Sequence, residues 1–272
     1  MKLDLHTHST CSDGTLTPAE LFKKAEHKEL ELFSITDHDN IDHVRFLEFN
    51  QDISSMKYVT GVEISAEFST TLHILGYNFD PLHPGLNSEL ENLQQYRRNR
   101  NQQMIENMDR IGFPVRMEEL IKESGGETIG RPHFARLLLK KGYVNSYEEA
   151  FEKYLAKGKQ LYIDKKRLDP DKAIALIIET GGIPVLAHPY QTKLDHRELD
   201  NLVKKLKSYG LIGIETFYSQ HTKSQIRDYL KLAEKYDLIL TAGSDFHGEN
   251  KPEIDLGLEV DYKYIKPFLE RL

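Results

Sequence analysis

Two histidines one residue apart, His6 and His8, followed by Asp13, are the first side chains whose types and spacing suit chemistry. In an extended strand alternate side chains share a face. Both imidazoles therefore point the same way, about 7 Å apart along the strand by rise per residue. That suits two imidazoles reaching into one polynuclear metal site. Asp13, in Ser12-Asp13-Gly14, lies where a loop can fold back to offer a carboxylate. An apolar strand that finishes in two histidines and an acid is a poor end for a core and a good floor for a metal pocket. A lone His-x-His says little, because satisfied core histidines are common. The reading depends on further donors at other strand ends, and the chain supplies them in Asp37-His38-Asp39, Glu63, His73, His188 and Asp245-Phe246-His247.

The elements that must position these donors alternate. Residues 2–6 read as a strand, and Thr17-Pro18-Ala19-Glu20 starts a helix with a capping box. Strands are expected at Leu32–Thr36, Lys57–Ile64 and Phe68–Tyr77, with a helix from Ile41 to Phe49. From about residue 90 to 160 the chain is polar and helical, with helices near Leu86–Gly112, Arg131–Lys141 and after Ser146. The alternation then resumes: a helix from Asp169-Pro170, a strand ending at His188-Pro189, a helix from Asp195, and a strand running Leu211–Phe217. A helix from Thr222, a strand ending at Ser244-Asp245-Phe246-His247 and a last helix from Tyr262 complete it. Alternating β and α elements favour a parallel sheet. Polar motifs at many strand C-terminal ends favour a closed (β/α) barrel over an open doubly wound sheet. A barrel of seven strands is expected from 1–89 and 161–272, with 90–160 as a helical insertion over its mouth.

Composition bounds the function. The chain has 272 residues, 39% of them hydrophobic, enough for a large core and against disorder. No apolar run approaches the ~20 residues that span a bilayer, and the start does not read as a secretory signal. Cys11 is the single cysteine, which excludes an internal disulfide framework; a cytoplasmic protein is the simplest reading. The net charge of −7 gives no overall pull on nucleic acid, so phosphate affinity must be local.

In order and type, Asp4-Leu5-His6-Thr7-His8 with Ser12-Asp13-Gly14, Ile35-Thr36-Asp37-His38-Asp39, Gly61-Val62-Glu63, His73, Ala187-His188-Pro189 and Ser244-Asp245-Phe246-His247 resemble the motifs of the PHP (polymerase and histidinol phosphatase) family. The resemblance implies a metal-dependent phosphoesterase on a distorted (β/α)7 barrel. It implies nine metal ligands: His6, His8, Asp13, His38, Glu63, His73, His188, Asp245 and His247. Glu63 would bridge two ions. Two or three divalent ions are implied; imidazoles with carboxylates suit Mn, Fe or Zn, with Mn the first choice. Such ions make a hydroxide from water near neutral pH and clamp phosphate oxygens. Asp37 and Asp39 are placed to orient imidazoles or cap helices, whereas His27, His43, His83 and His196 read as surface histidines.

Gly130-Arg131-Pro132-His133-Phe134-Ala135 and the helical insertion resemble the stand-alone branch that dephosphorylates 3′,5′-bisphosphonucleotides or trims short 5′-phosphorylated RNA. Arg131 would grip phosphate bidentately, with His133 as a second contact. His221, just after a strand, is a candidate to contact phosphate or protonate the leaving group. Lys165, Lys166 and Arg167 read as phosphate contacts or a solvated basic turn, and the cluster Arg97, Arg98 and Arg100 as a solvated helix face. The expected partner is a phosphorylated nucleotide or oligonucleotide, with no membrane and no obligatory protein partner. The alternatives are a histidinol-phosphate or other small-molecule phosphatase and, in a different class, a non-catalytic PHP accessory module. The full ligand set and the lack of any polymerase segment oppose the last.

Overall fold

Nine strands and nine α-helices form the described part of the chain, residues 1–44, 56–124 and 129–272 of a computed structural model. Strand β1 (Lys2–Asp4) pairs in parallel with β2 (Leu32–Phe33), which pairs with β3 (Lys57–Tyr58), while β9 (Leu258–Glu259) adds antiparallel at the other side of β1. A second sheet runs β4 (Gly61–Ala66), β5 (Leu72–Tyr77), β6 (Ile183–Leu186), β7 (Gly213–Tyr218) and β8 (Ile239–Gly243).

The strands fall into these two sheets, and their ladders do not close into the continuous seven-stranded barrel expected. At one seam between them, Leu5 N–H donates to Ala242 at 3.0 Å, and Thr7 bridges Phe246. At the other, His38 bridges Glu63 in parallel. Barrel closure needs a continuous, evenly staggered ladder; here isolated bridges, Thr7 to Phe246 and His38 to Glu63, stand at the two seams in place of a run of pairs. The expected strand Lys57–Ile64 is two strands in different sheets. Gly61 permits the change: a Cβ there would stand 2.2 Å from Ser34 Oγ.

The sheets are mixed rather than parallel. Only five residues separate β4 from β5, too few for a crossover. The pair is therefore antiparallel, with Glu63 opposite Leu75 and Ser65 opposite His73, and β5 pairs antiparallel with β6 as well. Both faces of this sheet are apolar: Val62, Ile64 and Ile74 pack under helix α6 (Pro170–Glu179), while Leu75, Tyr77 and Val185 face Leu3, Leu5 and Phe268.

Helix boundaries follow from caps. Thr17 and Glu20 close a capping box on α1 (Pro18–His27), as do Asp195 and Glu198 on α7 (His196–Ser208) and Thr222 and Gln225 on α8 (Lys223–Tyr236). The helix expected at Ile41–Phe49 falls mostly on residues outside those described. His83, expected to be an idle surface histidine, caps α2 (Pro84–Arg110) by accepting the Leu86 N–H at 3.4 Å. The first turns of α2 (Leu86, Leu90, Leu93) pack on the sheet core. Its later turns (Met104, Met108) join a separate apolar cluster with α3 (Met117–Ser124), α4 (Arg131–Lys140) and α5 (Tyr147–Ala150). A last helix, α9, spans Tyr262–Leu269. Among the described residues no helix is long and apolar enough to cross a membrane.

Candidate metal centre

The structure gathers all nine side chains of the expected ligand set into one cluster at the strand ends. His6 and His8 lie just beyond β1, and backbone bonds across the seam pin them: Asp245 N–H to His6 O at 2.7 Å and His8 N–H to Phe246 O at 2.9 Å. Their rings are 5.3 Å apart. Glu63 projects from β4 and His73 from β5. His188 follows β6, and Asp245 and His247 follow β8.

Glu63 is the centre of the cluster and has no solvent exposure. Its Oε1 lies 2.7 Å from His73 Nδ1 and 2.8 Å from His188 Nε2. Its Oε2 lies 2.9 Å from His38 Nδ1 and 3.3 Å from both His6 Nε2 and His8 Nε2. Asp245 Oδ1 stands 3.2 Å from His8 Nε2, and Asp13 Oδ1 stands 3.3 Å from His247 Nε2.

His6 Nε2, His8 Nε2, His38 Nδ1 and Glu63 Oε2 are all buried without a hydrogen-bond partner. A buried polar atom left alone costs about 1–3 kcal/mol, so four converging on one spot call for a common partner that accepts lone pairs. A cation fits. Three overlapping donor groups meet that description: His8, Asp13, His38 and His247; His6, His8 and Glu63; His38, Glu63 and His73. Mixed imidazole and carboxylate donors suit first-row divalent metals rather than Ca or Mg.

The charges agree. Burial by itself would raise the carboxyls. Yet the imidazoles of His247 and His38 hold Asp13 well below the usual range, and His38, His73 and His6 do the same for Glu63. Asp245 is lowered against its burial by His247, His6 and Lys251. His8 is pushed down by burial, but the carboxylates of Asp245 and Glu63 beside it win and lift it to about 9. A field that draws a proton onto an imidazole draws a divalent cation by the same means, and ligation displaces that proton.

Supporting contacts differ from expectation. Asp39 meets no imidazole: it accepts from Ser65 N at 2.8 Å and Arg97 Nη2 at 2.7 Å. Asp37 reaches His8 only through Ser12 Oγ. It also pairs with His43 Nδ1 at 3.0 Å, so His43 is fully buried rather than a surface histidine. His27 and His196 are exposed as expected. The carboxylate that does hold a cluster imidazole is Glu215. Its Oε1 lies 2.9 Å from His6 Nδ1, and its Oε2 accepts the His188 N–H at 2.7 Å. Gly243 makes room, since a Cβ there would meet His6 Cβ at 2.2 Å and Glu215 Oε1 at 2.9 Å. An acid amid the apolar strand Gly213–Tyr218 was the available signal for it. Tyr218 and Lys251, which bind Asp245 Oδ2 at 2.7 and 2.5 Å, carried none.

Beside the cluster lies a cavity of about 170 Å³ whose inner wall is Asp13 and His38. Its cations are Arg97, Arg100, Arg131, Lys165 and Arg167. Arg97 and Arg100 thus face the site rather than a solvated helix side; their i, i+3 spacing was the clue. Burial, with the like charges of Arg97 and Arg131, lowers Arg100. Arg131 opens α4, donates to Leu155 O at 3.2 Å and lies over the Tyr162 ring. His133 is not on the cavity wall: buried, and driven to about 4 chiefly by that burial, it caps α4 by accepting the Gly130 N–H at 2.9 Å. His221 is also away from the donor groups, with Nδ1 3.0 Å from Thr216 O and its ring among Tyr190, Tyr218 and Tyr229.

Residues 4–168 match the PHP domain family. The chain is 32% identical over 247 residues to the 5′-3′ exoribonuclease of Haemophilus influenzae, covering 90% of each. It is 30% identical over 257 residues to the 3′,5′-nucleoside bisphosphate phosphatase of Chromobacterium violaceum, covering 94% of this chain and 90% of that one. Among solved structures, a protein of Bifidobacterium adolescentis described as a metal-dependent phosphoesterase superposes with a TM-score of 0.83 and 28% identity, covering 99% and 96%. The chain belongs to the PHP family. It is a hydrolase acting on phosphate esters, with a His/Glu cluster that suits divalent metals.

Proposed function

We propose that the protein hydrolyses phosphate esters of nucleotides, either 3′,5′-bisphosphonucleotides or short 5′-phosphorylated RNA. The observation that carries this is the shared wall: Asp13 and His38 belong both to a donor group and to the cation-lined cavity. One phosphate on the cluster therefore has a second anion-binding site next to it, and a substrate with two phosphates a few bonds apart matches that pairing. The relatives that act on bisphosphates and on RNA support the reading.

His6, His8, Asp13, His38, Glu63, His73, His188, Asp245 and His247 would hold two or three ions, Mn first among Mn, Fe and Zn, with Glu63 shared between them. When bound, such ions supply a water acidified toward neutral pH and draw charge from the phosphate oxygens. The chain's own part is to orient and to neutralise. Glu215 fixes the His6 ring, and Arg131, Arg97 and Lys165 receive the non-reacting phosphate. The P–O ester bond breaks as the water oxygen bonds to phosphorus, and the departing alcohol oxygen takes up the proton. The helical block at 90–160 acts as a cover, since α2 and the start of α4 supply cavity wall; the chain from Tyr162 to Arg167 completes that wall. The remaining architecture is proposed to be a distorted (β/α)7 barrel whose ladder opens at the two seams.

Phosphate release from a 3′,5′-bisphosphonucleotide, a short 5′-phosphorylated RNA and histidinol phosphate, side by side with Mn, tests the reading. Release from either nucleotide substrate well above that from histidinol phosphate is expected. Preference for histidinol phosphate would overturn it.

A further inference from the structure

The cation-lined cavity, at about 170 Å³, is smaller than the ~300–1,000 Å³ of pockets that enclose whole ligands. It has room for a phosphate and part of a sugar, so the base of a bound nucleotide lies outside it. One residue before Arg97 of the cavity wall stands Tyr96 on α2 (Pro84–Arg110), 50% exposed although aromatic. Lys166 Nζ sits 4.1 Å from its ring centroid. Each member of this pair adjoins cavity wall in sequence: Tyr96 precedes Arg97, and Lys166 lies between Lys165 and Arg167. Arg97 is anchored to Asp39 at 2.7 Å and Lys165 to Ser65 Oγ at 2.8 Å, so both backbones that carry the pair are fixed relative to the metal centre.

We infer that Tyr96 and Lys166 form the nucleobase platform of the enzyme: the base of the nucleotide whose non-reacting phosphate occupies the cavity stacks on the Tyr96 ring. An aromatic face accepts any base, so the platform favours nucleotides over other phosphate esters without reading sequence. Lys166 holds the ring by a cation–π contact and adds positive charge beside the next phosphate of an oligonucleotide. As a fold element the ring does little, for it lies in none of the apolar clusters of the described residues. The inference rests on the nucleotide reading above.

The chain has no tryptophan, which makes a direct test available. In the Tyr96→Trp variant the new indole is the sole such fluorophore and keeps a stacking face. Adenosine 5′-monophosphate should quench its emission, and ribose 5-phosphate should not, at concentrations where each inhibits the enzyme. In kinetics on adenosine 3′,5′-bisphosphate, Tyr96→Ala should lower kcat/KM about tenfold, the lower part of the range for one base–aromatic stack, while Tyr96→Phe stays within about twofold. Hydrolysis of ribose 3,5-bisphosphate, which has no base, should be unchanged by Tyr96→Ala. Equal losses on both substrates, no loss on either, or no quenching by the bound nucleotide would each overturn the platform. A wild-type enzyme inactive on every nucleotide would instead overturn the proposed function, so the two failures are distinct.

Discussion

Glu215→Gln tests whether charge holds His6 in place for a cation. Both oxygens of Glu215 face donors, His6 Nδ1 at 2.9 Å and the His188 N–H at 2.7 Å. An amide of the same shape has one acceptor oxygen and one NH₂ group. Whichever way it turns, one donor meets another. The backbone N–H cannot move away, so the amide oxygen stays with His188 and the His6 Nδ1–H loses its acceptor. The imidazole then gains by shifting its proton to Nε2, the atom 3.3 Å from Glu63 Oε2 and the one that must stay bare to ligate. Loss of a charge-assisted bond is worth about 1.5–3 kcal/mol, or roughly 10- to 100-fold in affinity, the range seen for carboxylates behind ligating histidines. Because His6 serves only one of the three donor groups, one binding step should weaken and the others should hold. Calorimetric titration of chelator-treated protein with Mn²⁺ measures this, with circular dichroism to show that the fold persists. A variant whose every binding step stays within about twofold of wild type would refute the reasoning.

Three further outcomes are expected. Arg131→Ala should cut kcat/KM by ~10²-fold, while the lost bond to Leu155 O lowers the melting temperature by only ~2–4 °C; full activity would leave Arg131 with only a structural part. Burial, seconded by Arg97, brings Lys165 down to about 8. Its charge is therefore lost as pH rises through that value, so phosphate capture and kcat/KM should fall on the alkaline side. Lys165→Arg should remove that limb, and a wild-type profile flat across roughly pH 7–10 would sink the idea. Chelation should lower the melting temperature: binding at 100-fold over Kd adds ~2.7 kcal/mol, roughly 5–10 °C in a chain of this size. A scan unmoved by chelator and by added Mn²⁺ would show that the cluster holds no cation.

The sequence by itself determined which side chains are candidate donors. Imidazoles and carboxylates at strand ends are recognisable locally, because His6 and His8 owe their common direction to backbone geometry and not to any partner. The capping boxes at Thr17, Asp195 and Thr222 were legible for the same reason, since each spans four residues. The short link from β4 to β5 is legible too: its five residues are too few for a crossover and make the pair antiparallel. Only the tertiary structure decided which partners meet across the chain. Glu215 and His6 are 209 residues apart, Arg97 and Asp39 58 apart, and no periodicity carries such pairings. His43 shows the cost of reading a residue alone, because a histidine without motif context becomes a buried partner once Asp37 is folded against it. Strand-end chemistry is local and survives in one dimension, whereas the orientation of that chemistry, and the cations gathered from α2, α4 and residues 162–167 around it, exists only after long-range packing has brought separate segments to one point.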